Sequence, residues 1–265
     1  MDVSEVLDDL VAEQEALDRV VVGLDDDQFA LDTPSERWSV SDQLGHLTYF
    51  DTTAALAIND PGGFAEHKAA LTSAFADALA VDAATLGTFR DLSPAEQLTA
   101  WRHGRLDLEA AARTLDDDTR VEWYGPSMGS KSFLTARLME VWAHGQDVCD
   151  TVGAARPPSD RLRHIAQLGV ITRGWSYVVR GEEPPGDAVR VALTAPSGDV
   201  WTWGDDGTDQ SIAGPAEDFC LVVTQRRHVD DTDLEVTGGA ARDWMVKAQA
   251  FAGGPTPGPA AEGAD

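Results

Sequence analysis

Residues 137–147 read Arg137-Leu-Met-Glu140-Val-Trp-Ala-His144-Gly-Gln-Asp147, and this stretch decides the fold. Its pattern predicts one long helix from near Ser130 to about Val152. Each helical residue turns 100°, so Arg137, Glu140, His144 and Asp147 fall within an arc of roughly 80°. Leu134, Val141 and Val148 point the same way, which puts four polar or ionisable side chains on the face that should look into a core. Burying such groups is costly unless something satisfies them. A metal ion would do so, because Glu140 and His144, four residues apart, lie about 5–6 Å from each other at Cβ.

Working outward, the linker 121–130 contains Tyr124-Gly-Pro-Ser-Met-Gly129 and leads directly into this helix, a placement suited to the wall of a pocket. Upstream, residues 3–23 carry Val6, Leu7, Leu10, Val11, Leu17, Val20 and Val21 at helical spacing. A second helix begins after Ser39, with Asp42 completing a variant of the capping box, and is expected to end at about Ile58. His46 lies on the edge of its apolar stripe, beside Phe50. Residues 64–80 form an irregular Ala-rich helical segment, and Ser93-Pro94-Ala-Glu96 opens another helix running to about Leu115. Downstream, 160–179 is expected to be a further helix. After Arg180 the texture changes: 189–193 and 200–203 alternate like strands, 210–213 is a third short strand, and helices follow from 214 and 240.

Composition bounds the function. The 265 residues carry 46 Asp and Glu against 20 Lys and Arg, a net charge of −26. That balance excludes recognition of nucleic-acid phosphates, which needs clustered cations, and disfavours an anionic membrane surface. No apolar run reaches the roughly 18 residues needed to span a membrane. The N-terminus lacks a basic region followed by an apolar run. Cys149 and Cys220 have no disulfide or zinc-knuckle spacing and are expected to be reduced, buried thiols, as in a cytoplasmic protein.

A catalytic zinc-type site requires three protein ligands and an open position. His46, Glu140 and His144 would supply two imidazoles and a carboxylate from facing helices, as helical bundles do. This set suits zinc, nickel or iron and not calcium. Asp147 would then take the free N–H of a ligating histidine, while Arg137 would pair with Asp147 or hold a substrate carboxylate. The competing reading makes His46 an ordinary helix-edge histidine and Glu140–His144 a surface pair.

At these residues the chain matches a pattern. Trp38-Ser-Val-Ser-Asp-x-x-x-His46-Leu, followed about ninety residues later by Arg137-x-x-Glu140-x-x-x-His144-x-x-Asp147, resembles the mycothiol-dependent maleylpyruvate isomerase family. The metal-binding domain of that family belongs to the DinB-like four-helix bundles. The resemblance implies an α+β protein, with an up-down bundle with extra helices over 1–183 and a small α+β domain over 184–252; the Pro-, Gly- and Ala-rich composition of 253–265 predicts a disordered tail. The resemblance implies a divalent metal, usually taken as zinc, on His46, Glu140 and His144, and a low-molecular-weight, mycothiol-like thiol as cosubstrate. It also implies that Arg226 or Arg227, at the end of the helix opened by Gly214-Pro-Ala, faces the substrate, although Leu-Val-Val-Thr-Gln there departs from the usual form. The expected function is a thiol-dependent isomerase or S-transferase acting on a small molecule, in a monomer or small homo-oligomer. The alternatives are a non-catalytic metal- or ligand-binding protein of the same fold, and a hydrolase using metal-bound water.

Overall fold

The computed structural model describes residues 2–72 and 77–263. It divides into two compact units, Met1–Arg156 and Pro157–Asp265.

The first unit is built on four long helices: α1 (Val3–Val21), α3 (Val40–Asn59), α6 (Pro94–Ala112) and α7 (Ser130–Val152), with the short α2 (Asp26–Phe29) before α3. Each long helix packs on two of the others, α1 on α6 and α7, and α3 on α6 and α7, which closes a four-helix bundle. Local signals set the starts. Capping boxes formed by Asp2 with Glu5, Ser39 with Asp42 and Ser93 with Glu96 satisfy the first amides of α1, α3 and α6. Helix α7 has no side-chain cap, and ends at Gly153, whose φ of 66° is the left-handed conformation that glycine adopts without strain. Leu10, Leu17, Leu44, Leu47, Trp101, Leu108, Leu134 and Leu138 fill the core. Helices α3 and α6 approach closely at Gly104, where a Cβ would sit 3.1 Å from Thr52 Oγ1.

Helices α4 (Pro61–Thr72) and α5 (Ala78–Arg90) are added to the bundle beside α3. The single segment expected over 64–80 is therefore part of two helices; its residues 73–76 lie outside the described residues. In the linker before α7, β1 (Arg120–Val121) and β2 (Met128–Gly129) pair antiparallel, so Trp123 and Tyr124 stand on a short hairpin.

One surface cluster ties α1 to α6. Asp18 accepts from Arg102 Nε at 2.9 Å, and from the Nη2 atoms of Arg102 and Arg105. The Arg102 hydrogen bond, opposed by burial and assisted by the Arg105 charge, holds the Asp18 carboxyl below the ordinary range. A depressed folded-state value means that the stabilisation is complete above the unfolded value of about 3.9 and is lost as pH falls through the folded one. Asp18→Asn should accordingly lower stability by about 1–3 kcal/mol near neutrality. The gap from wild type should close in denaturant melts run at progressively lower pH.

The second unit opens with α8 (Leu162–Ile171) and α9 (Arg173–Val178), two helices where one was expected over 160–179. The break falls at Thr172, whose hydroxyl bonds back to the Leu168 carbonyl at 2.7 Å. The apolar face of α8 packs on α10 (Ala216–Val223), and α9 packs on α11 (Gly239–Lys247). This packing places the boundary at 156/157, not near residue 183. Strands β3 (Arg190–Thr194), β4 (Val200–Trp203), β5 (Ser211–Pro215) and β6 (Glu235–Thr237) form one sheet in the order β4-β3-β5-β6. The β3–β5 pair is parallel, with Val191 opposite Ile212, and the other two are antiparallel. Val191, Leu193, Trp201 and Ile212 are buried on its helix-covered side. Where disorder was expected from residue 253, the chain makes tertiary hydrogen bonds instead. The Gly254 carbonyl accepts from Gln249 and the Thr256 carbonyl from Arg180, while the Glu262 amide donates to Asp231.

Cys149 and Cys220 are free and buried. Among the described residues, no helix is long and apolar enough to cross a membrane.

Candidate metal centre

Helix α3 carries His46 and the adjacent α7 carries Glu140 and His144. His46 Nε2 lies 3.0 Å and His144 Nε2 3.1 Å from the same oxygen, Glu140 Oε2. The three ligand atoms all lie within 4.8 Å of one another. In a tetrahedral site with metal–ligand distances of about 2.0–2.1 Å, neighbouring ligand atoms are about 3.3–3.4 Å apart. Two of the three separations are within a few tenths of an ångström of that geometry. Two imidazoles and one carboxylate form the donor set that a borderline divalent ion takes. The residues present fit such an ion.

The charge states agree with that fit. Burial, reinforced by the nearby His144, pushes His46 down to about 4, so its ring is neutral at neutral pH. Burial acts to raise the Glu140 carboxyl, but hydrogen bonds from His144 and His46 outweigh it and hold the group well below the ordinary range. Neutral imidazole and ionised carboxylate are the forms that ligate metals.

Aromatic rings enclose the cluster. Trp38, just before α3, lies 5.0 Å from the His46 ring and stacks on His144 at 5.8 Å. Phe50, one turn after His46, lies 4.6 Å from it. The hairpin then contributes Tyr124, 5.6 Å from Phe50, and Trp123, 6.2 Å from it. Tyr124 and Tyr49 each place a hydroxyl at His67 Nε2, at 3.0 and 2.9 Å, so His67 belongs to a tyrosine cluster rather than to the ligand set. The 121–130 linker therefore does line the surroundings of the site, through rings that contact Phe50.

Two of the outer residues are placed differently from expectation. Arg137 does not pair with Asp147; its Nε and Nη2 donate to Asp51 Oδ1 at 3.2 and 2.9 Å, and both residues are buried. Gln14 Nε2 donates to the other Asp51 oxygen at 3.2 Å. This guanidinium is committed to the bundle core, which removes it as a substrate clamp. Asp147 Oδ2 accepts from Ser35 Oγ at 3.1 Å and lies 3.8 Å from His144 Nδ1, beyond hydrogen-bond range. Gln43 holds that nitrogen instead, with Oε1 at 2.6 Å. Arg226 and Arg227 follow α10 in the second unit, where Arg226 Nη1 donates to the Thr224 carbonyl and Arg227 Nη1 to the Arg226 carbonyl.

Sequence reasoning passed over Gln43 and Asp51, and quoted Trp38 in the motif without giving it a role. A signal was available for two of them. Gln43, His46 and Phe50 recur at i, i+3 and i+7, and Asp51 interrupts the stripe Leu44, Leu47, Ala54.

Comparison with known proteins gives three further findings. The family described as the mycothiol maleylpyruvate isomerase N-terminal domain matches residues 10–149. An uncharacterized protein of Mycobacterium tuberculosis, found in strains H37Rv and CDC 1551, is 43% identical over 250 residues, covering 93% of this chain and 95% of that protein. The crystal structure of the mycothiol-dependent maleylpyruvate isomerase superposes with a TM-score of 0.57 at 18% identity, over 85% of this chain and 90% of that one. For a histidine-to-alanine mutant of the isomerase the TM-score is 0.61 at 17% identity, over 89% and 93%. At these identities the structural likeness speaks to the fold, which is the DinB-like α+β architecture.

Proposed function

This chain belongs to the mycothiol maleylpyruvate isomerase N-terminal domain family, and from that premise we propose that it is a thiol-dependent isomerase or S-transferase whose first unit holds a divalent ion, zinc foremost, on His46, Glu140 and His144. The observation that carries the reading is the convergence of three ligand atoms from α3 and α7 within 4.8 Å. When bound, the ion supplies the Lewis acidity that makes a low-molecular-weight thiol, mycothiol or a relative of it, a thiolate near neutral pH.

The chain's own residues do the rest. Glu140 brings one negative charge, so a divalent ion held beside it would keep about one unit of positive charge, which favours one further anion. Trp38 and Phe50 flank the histidines with apolar surface, which keeps water from competing at the ligand atoms and fixes the ring planes. A small electrophile with an activated double bond is the substrate class that thiolate addition serves. Maleylpyruvate, the substrate named for the structural relatives, is the first compound to try.

The test is turnover of maleylpyruvate by the zinc-loaded chain with and without an added small thiol. Conversion only in the presence of thiol is the expected result, with loss on the order of 100-fold or more in Glu140→Ala, where the ligand set is broken. Turnover of an ester or amide without thiol would replace the proposal with a metal-water hydrolase. Bound zinc with no turnover of thiol-reactive electrophiles would make the chain a non-catalytic metal-binding protein.

A further inference from the structure

Beyond the three candidate ligands, one buried side chain holds the Nδ1 nitrogen of His144. Gln43 lies on α3, three residues before His46, and is fully buried. Its amide sits between Thr33 and His144, with Nε2 2.8 Å from Thr33 Oγ1 and Oε1 2.6 Å from His144 Nδ1.

The direction of every hydrogen bond in this chain of contacts follows from its far end. The Trp38 carbonyl can only accept, and Thr33 Oγ1 donates to it at 2.8 Å. A hydroxyl has one hydrogen, so with that hydrogen committed Thr33 Oγ1 faces Gln43 as an acceptor. Gln43 must then present its NH₂ to Thr33, which turns its carbonyl oxygen toward His144. That oxygen can only accept, so His144 Nδ1 carries the hydrogen. In a neutral imidazole the other nitrogen is then bare. Nε2 is the atom that faces Glu140 Oε2 at 3.1 Å. A contact of that length between Nε2 and a carboxylate oxygen is bridged by positive charge, either a proton on the ring in the metal-free protein or the ion that takes the proton's place. Asp147, the other acceptor near Nδ1, is 3.8 Å away and is engaged by Ser35.

We propose that Gln43 is a positioning residue for the metal centre, and that the relay Trp38 carbonyl–Thr33–Gln43 locks His144 in the Nδ1–H form so that Nε2 is presented to the ion. The proposal rests on the metal reading given above. It has a consequence for folding: the loop 33–39, the start of α3 and the middle of α7 must be in register before the ligand set is complete. The ordered loop is thus a precondition of metal affinity even though it supplies no ligand. Trp38 joins the two roles, since its carbonyl ends the relay and its indole covers both histidine rings.

Two measurements test it. Ring-nitrogen NMR of the metal-free protein should show His144 protonated at Nδ1; a neutral ring protonated only at Nε2 would overturn the proposal. Zinc affinity, measured by chelator competition, should fall about 10–100-fold in Gln43→Leu, the usual effect of removing a partner that orients a metal ligand. Gln43→Glu, which keeps an acceptor oxygen at Nδ1, should restore most of that loss and guards against a folding artefact. Equal zinc affinity in Gln43→Leu and wild type would refute the positioning role. If wild type takes up no zinc, the metal reading is the part that fails, and the ring-nitrogen spectrum still decides the relay.

Discussion

His144→Ala is expected to leave the purified chain without bound zinc, where wild type retains about one ion per chain, the stoichiometry of a three-ligand site. In the proposed site His144 is the pivotal residue for two reasons. Its Nε2 lies 3.1 Å from Glu140 Oε2, and its Nδ1 is held by Gln43, so its ring is fixed at both ends. Removing it leaves one imidazole and one carboxylate, which together no longer form an open three-ligand site. A thermal consequence follows from mass action. Zinc at about 100 times its dissociation constant stabilises a protein that binds it only when folded by about 2.7 kcal/mol. The melting temperature of wild type should therefore rise with added zinc, while that of His144→Ala should not respond. Metal analysis of the two proteins purified side by side is the check, and equal zinc content in both would remove His144 from the ligand set.

The second large effect concerns stability. Asp51→Ala should destabilise the first unit by about 3–5 kcal/mol, because it leaves the Arg137 guanidinium buried without its counter-charge. Asp51 is fully buried and Arg137 nearly so, and Gln14 donates to the same carboxylate, so no water can substitute readily. Burial pushes the Asp51 carboxyl up even against the Arg137 charge, a sign that desolvation is the larger influence on this pair. It follows that replacing both partners, Asp51→Leu with Arg137→Met, should recover most of the loss, as apolar replacements of buried pairs do. Urea denaturation of the two singles and the double resolves this. A single variant within about 1 kcal/mol of wild type would mean that the pair contributes little, as exposed pairs do.

The Asp51–Arg137–Gln14 group also explains what could be read in advance. Each member interrupts an apolar stripe: Gln14 between Leu10 and Leu17, Asp51 between Leu47 and Ala54, Arg137 between Leu134 and Val141. Helical periodicity shows that such a residue faces inward, and burial cost shows that it must have a partner. Periodicity does not say which partner, since that depends on where three separate helices cross. From local information alone the candidates for Arg137 are Asp147 on the same helix or a substrate carboxylate, whereas its partner lies 86 residues earlier on α3. The pair of Glu140 and His144 was legible because both residues belong to one helix, and helix geometry fixes their separation without reference to the rest of the chain.

The boundary between the two units follows the same division. Residues 160–179 carry an apolar face whichever unit they join, and only the packing of α8 on α10 and α9 on α11 assigns them to the second. Likewise, alternation identified β3, β4 and β5, but the parallel β3–β5 pairing depends on contacts between segments some twenty residues apart.

What the sequence by itself determined is the set of elements made from local information: the capped starts of α1, α3 and α6, the course of α7 and the face it turns inward, and the presence of Glu140 and His144 on that face. The tertiary structure decided which groups answer one another across helices: Asp51 for Arg137, Gln43 for His144 Nδ1, His46 for Glu140. The physical reason is range. Capping and periodicity act within a few residues, whereas a buried charge or an imidazole hydrogen is satisfied by whichever group the folded chain brings within about 3 Å.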